Sequence, residues 1–175
     1  EKIKSRRWRR MYDVIIIGAG PGGIFSAYEL MKQDENLKIA VFDAGHSLEQ
    51  RHCPIDGEKV KSCISCKTCA IMNGFGGAGA FSDGKLSLYN PEDDEIHVGG
   101  NIHKIIGVPE TKSLIDYTDK IYLDFGADKH LEGTEYKEEI AKINDRAHKE
   151  GIRLINIPIR HLGTEKSHEV YGRLE

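Results

Sequence analysis

The stretch "VIIIGAGPGGIFSAYEL", residues 14–30, decides the fold: four apolar residues, a burst of glycine, and then a helical pattern. Residues 12–17 are an apolar, β-branched run of the kind a parallel strand buried on both faces requires. From Gly22 to about Lys32, Ile24, Ala27, Tyr28 and Met31 recur at helical spacing and give the segment one apolar face. After the polar turn "QDEN", residues 37–42, "LKIAVF", read as a second strand. The unit is β-α-β. The expected fold class is α/β, a Rossmann-like FAD/NAD(P)-binding domain on a parallel sheet, incomplete within this length.

The glycines give that unit its chemistry. Gly18, Gly20 and Gly23 fit G-x-G-x-x-G. The first allows the tight turn, the second lets a pyrophosphate approach the backbone, and the third lets helix pack close to strand. Pro21 and Gly22 complete the loop, and the helix start offers unpaired N–H groups to an anion. Asp43 lies 20 residues after Gly23, at the end of the second strand. There an acidic side chain accepts hydrogen bonds from an adenosine ribose and repels a 2′-phosphate. The pattern favours FAD or NAD over NADP and does not separate the first two.

Length and charge bound the rest. A chain of 175 residues with 39% apolar content can bury one ordinary core, or a domain and a small appendage. Residues 1–11 hold six Lys/Arg against one Glu, so the remainder carries 19 basic and 27 acidic residues, a balance of −8. We read 1–11 as a solvated basic arm, and no nucleic-acid partner is expected. No run approaches the roughly 18 apolar residues of a membrane span, and no signal peptide follows the arm, so a cytoplasmic protein is expected. The chain reads as part of a longer polypeptide.

All four cysteines fall within 17 residues: Cys53, then C-x-x-C-x-x-C at Cys63, Cys66 and Cys69. Three readings stay open. The spacing matches an iron–sulfur site with Cys53 as a fourth ligand, a four-thiolate zinc site needs the same residues, and C-x-x-C pairs form redox disulfides, with Lys61 and Lys67 helping to ionise the thiols. Set against metal and redox roles is a fourth reading, inert or partly buried thiols. Five glycines then occur in the eleven residues 74–84, with Phe75 and Phe81 among them, which reads as a second cofactor wall rather than a flexible linker.

Together "YDVIIIGAGPGGIFSAYEL", "VFDAG", "CISCKTC" and "GFGGAGAFSDGKL" resemble an uncharacterised FAD-dependent dehydrogenase/oxidoreductase family of bacteria and archaea, with relatives in plastids. It is a narrow group within the glutathione-reductase-like superfamily. The likeness runs through most of the chain from Tyr12 onward. It implies that Gly18, Gly20, Pro21, Gly22 and Gly23 lie against an FAD pyrophosphate and that Asp43 holds the ribose. It also implies that Ala44, Gly45 and Arg51 line the adenosine side, while Gly76, Gly77, Ala78, Gly79, Ser82 and Lys85 approach the flavin. Members of the superfamily complete the site with a late Gly-Asp pair. No Gly-Asp dipeptide occurs in this chain, so the rest of a longer polypeptide is needed to complete the site.

The implied organisation is a basic arm at 1–11, an FAD-binding unit at 12–110, and a helical segment leading toward a substrate-side region at 111–175. Within the last, helices are expected from Thr111 to about Phe125 and from a Thr134 cap to before Gly151, then a strand at 152–158. His52, His97, His103 and His161 fall near loops and define no catalytic constellation. The expected activity is hydride or electron transfer through FAD to or from a small-molecule substrate, with NAD(P)H as a candidate electron donor. The alternatives are a non-enzymatic dinucleotide- or metal-binding module with a four-cysteine site, and an NAD-binding half-domain.

Overall fold

The computed structural model describes residues 11–175, so the basic arm, Met11 apart, lies outside the described residues. The chain is mixed α/β and divides into two compact units. One runs to Phe81 and includes Leu174 and Glu175; the other is Ser82–Arg173. The division falls inside the 12–110 span.

In the first unit, β1 (Val14–Ile17) and β2 (Ile39–Phe42) pair in parallel, with Val14 opposite Ile39 and Ile17 opposite Phe42. Between them runs α1 (Pro21–Gln33), the crossover that a parallel pair needs. Gly20 is its N-cap and Pro21 its first residue, where the missing N–H costs nothing and the fixed φ suits a helix. Ile24 is its buried residue, and the helix stops at Asp34, whose N–H donates to the Leu30 carbonyl. Both strands are two residues shorter than the apolar runs. The Asp13 and Lys38 backbones still bond, at 2.9 Å, just ahead of the ladder.

Among the described residues this sheet has two strands. Ile15, Ile17, Val41 and Phe42 are all exposed, so the apolar character that a doubly covered parallel sheet demands is present without the cover. Residues 51–76 contain neither helix nor strand, and short 3-10 turns flank them at Leu48–Gln50 and Gly77–Phe81.

The second unit is built on a short antiparallel pair, β3 (Lys85–Ser87) and β4 (Ile159–His161). It adds α2 (His103–Ile106), α3 (Val108–Asp124), α4 (Lys137–Lys149) and α5 (Gly163–Leu174). Ile121 and Tyr122 of α3 are buried, as are Val170 and Tyr171 of α5, and the two tyrosine hydroxyls bond at 3.0 Å. Beside them Arg160, 3% exposed, pairs with Asp119 through two nitrogens, at 2.5 and 2.7 Å.

Three local expectations are corrected here. Residues 152–158 form no strand: Ile152 and Ile155 are exposed, and the ladder with β3 begins only after Pro158, which lacks an N–H to donate. Thr111 does not cap α3. The helix starts earlier, at Val108 with Pro109 in its first turn, and Thr111 is a buried interior residue whose hydroxyl donates to the Gly107 carbonyl. Thr134 likewise does not cap α4: the helix begins at Lys137 with Tyr136 as its N-cap, and the Thr134 hydroxyl donates to the Leu131 carbonyl. Glu138 and Glu139 complement that helix start electrostatically.

Candidate functional site

Three loops meet where β1 and β2 end, and each joins through backbone. The first, residues 18–23, leaves β1 with Gly18 at φ +104°, a conformation that disfavours any other residue. The Gly18 N–H donates to the Phe42 carbonyl at 2.6 Å, closing the end of the sheet. A Cβ on Gly23 would run into the Gly18 carbonyl, so the third glycine of the pattern is required by the chain itself. Gly20 and Gly22 differ: both have open space where a Cβ would stand. The N–H groups of Gly22 and Gly23 lie in the first turn of α1 and have no intrahelical acceptor.

Asp43 binds the three loops together. One carboxylate oxygen, Oδ2, accepts the Ala19 N–H at 2.8 Å, and the other, Oδ1, accepts Gly45 N–H at 2.8 Å and Gly74 N–H at 2.7 Å. The Ala19 N–H first, and then that of Gly45, hold its carboxyl below the ordinary aspartate range. The side chain remains accessible from solvent, so its remaining lone pairs are open to a ligand hydroxyl. A hub so placed accounts for an acid at the end of β2 through the fold alone.

The Gly-rich loop lies against the other two. Gly76 N–H donates to the Ala19 carbonyl at 2.8 Å, and Phe75 N–H donates to His46 at 3.0 Å. Gly45 approaches Asn73 and Gly74 so closely that a Cβ would meet their backbone. Gly77 stands beside Gly20, where its Cβ would sit 3.3 Å from the Gly20 Cα. Gly76 is buried, Gly77 and Gly79 are half-buried, and Ala78 is exposed.

Arg51 fixes this loop from beneath. It is 2% exposed, and its guanidinium donates to the carbonyls of Ala70, Ile71, Phe75 and Gly77 while lying 4.5 Å from the Phe81 ring centroid. Burial pulls its pKa below the ordinary arginine value, with the Asp43 carboxylate acting in the opposite sense. The planar fork reaches four carbonyls at once, which a lysine ammonium on a flexible stem cannot reproduce.

The other sequence candidates are placed as follows. Ala44 is exposed on the turn after Asp43. Ser82 and Lys85 belong to the second unit, where Ser82 accepts the Gly84 N–H and Lys85 pairs with Asp83 at 2.6 Å. Cys63 and Cys66 are exposed, Cys53 and Cys69 half-buried, and all four are free thiols. Among the described residues no three metal-ligating side chains gather as they would around an ion. Of the scattered histidines, His161 has the fullest surroundings, with Asp83 on Nε2 and Glu132 on Nδ1, each at 3.1 Å.

Two members of the junction escape a reading of the sequence, Ala19 and Gly74, because they act through backbone N–H groups. Only the Asn-Gly pair at 73–74, a turn signal, marks the second of them.

No helix among the described residues is long and apolar enough to cross a membrane. No family model matches the chain, and no solved structure matches it. Among curated proteins, an "Uncharacterized protein" of Clostridium beijerinckii is 32% identical over 87 residues. Those residues are 50% of this chain and 16% of that protein, so the matched part spans about a sixth of the relative's length.

Proposed function

We propose that the first unit is the FAD-binding part of an oxidoreductase, built as the opening β-α-β of a Rossmann-like domain whose sheet is wider in the complete protein. The observation that carries the reading is the open space at Gly20 and Gly22. Chain geometry accounts for Gly18 through its φ and for Gly23 through its neighbour, but for neither of these two. Backbone left bare at a helix start, at the carboxyl end of parallel strands, suits a pyrophosphate.

In this reading Gly20, Gly22 and Gly23 face the pyrophosphate and Asp43 offers free lone pairs to the ribose. Gly77, held beside Gly20 by Arg51, forms the second wall. Bound FAD would supply hydride or electron transfer, while the protein orients and tunes it. The small-molecule substrate and the electron donor, for which NAD(P)H is the candidate, would be met by the rest of a longer polypeptide.

The test is the absorption spectrum of the full-length protein purified with added FAD under anaerobic conditions. Structured flavin bands that survive gel filtration are expected. A colourless, folded protein would overturn the reading.

A further inference from the structure

Residues 51–76 carry no regular structure, and stretches of that length without helix or strand are uncommon in compact units and are either functional loops or linkers. Two local devices organise this one. Asp56 Oδ1 accepts the N–H groups of Glu58, Lys59 and Val60, which knots the chain early in the loop. Further on, Met72 and Asn73 donate to the Cys69 carbonyl, just where Arg51 takes hold of Ala70 and Ile71. Cys63 and Cys66 stand between these fixed points, and both are exposed.

The residue between them that breaks the backbone rule is Ser65. It is the one non-glycine residue at positive φ among those described, at +53°. Its N–H donates to the Cys63 sulfur at 3.4 Å. The chain carries no turn over 63–66, so the two thiols meet only when this short exposed stretch folds on itself, a local backbone movement that the two-residue spacing allows.

We infer that Cys63 and Cys66 are a redox-active dithiol that exchanges with small disulfides, independently of the flavin reading. One Cys thiolate attacks the external disulfide and forms a mixed disulfide, expelling the first thiolate. The second Cys thiolate then attacks the cysteine sulfur of that mixed disulfide and expels the other. Cys63 and Cys66 together lose two electrons and two protons, and the external disulfide becomes two thiols. Closing the pair tightens the chain that leads into the carbonyls held by Arg51.

The experiment is differential alkylation of the full-length protein in glutathione redox buffers, read by mass spectrometry after trypsin. Cleavage after Lys61 and Lys67 places Cys63 and Cys66 on one peptide, residues 62–67, and Cys53 and Cys69 on others. As the buffer becomes oxidising, that peptide is expected to lose two hydrogens as one event, reversibly with dithiothreitol. Cys63→Ser and Cys66→Ser should each trap the mixed glutathione disulfide on the remaining partner. The inference is overturned if both thiols stay alkylatable at every ratio. A disulfide to Cys53 or Cys69 would overturn it equally, as would protection that a chelator removes and a reductant does not.

Discussion

Gly23 lies so close to the Gly18 carbonyl that a single added methyl would overlap it, whereas Gly20, in the same loop, faces open space. The two positions therefore separate what the fold needs from what the proposed FAD would need. Gly23→Ala is expected to destabilise the protein by about 1–3 kcal/mol, the usual cost of overpacking. Gly20→Ala should cost less stability than Gly23→Ala, no more than the roughly 0.5–1 kcal/mol of a poorer N-cap, and weaken FAD binding about tenfold or more, a loss of about 1.4 kcal/mol. Denaturation and flavin titration of both variants check this. Unaltered FAD affinity in Gly20→Ala would remove the main support for the dinucleotide reading.

Arg51 and Gly77 are tied by one of the four carbonyl contacts of the buried guanidinium. Arg51→Met keeps the bulk and removes every donor, leaving those carbonyls without their partner. A loss of about 2–4 kcal/mol is expected, since bonds to a charged donor are worth roughly 1.5–3 kcal/mol each but are not additive. Arg51→Lys should recover only part of it. Hydrogen exchange at the Gly76 and Gly77 amides reads the effect directly, and unchanged protection in Arg51→Met would show that the loop holds itself.

His161 should make the second unit sensitive to pH. Asp83 first, and then Glu132, raise its pKa above the ordinary 6.5. Because the folded value exceeds the unfolded one, the histidine's contribution is complete below about pH 6.5 and disappears as pH rises through the folded value. The wild-type thermal midpoint should therefore fall over that interval more than that of His161→Gln. Parallel curves for the two proteins would exclude the linkage.

Asp119 and Arg160 form a buried pair, with the Arg160 side chain 4% and that of Asp119 15% exposed. Removing one charge strands the other, and Asp119→Asn is expected to cost about 3–5 kcal/mol. Chemical denaturation measures it. A loss below about 1 kcal/mol would place the pair in the class of solvated ion pairs.

What the sequence by itself determined is local. The apolar runs, the glycine spacing and the amphipathic stretch specify β1, α1 and β2 in order, because periodicity and turn chemistry act between residues a few positions apart. The α4 helix was legible for the same reason. Its first turn was not, since the helix starts at Lys137 with Tyr136, a residue without a capping signature, at its N-cap. Tertiary structure decided the rest. Residues 152–158 are as apolar as a strand requires, yet the ladder formed at Ile159–His161, where β3 offered a partner. Asp43 could be named from its distance to Gly23, but its grip on Ala19 and Gly74, 24 and 31 residues away, depends on three loops arriving together. Arg51 is picked out along the chain only by resemblance, as a residue expected to line the adenosine side. Only folding shows it buried, because the carbonyls that make burial of its charge affordable come from residues 70–77, brought to it by the fold.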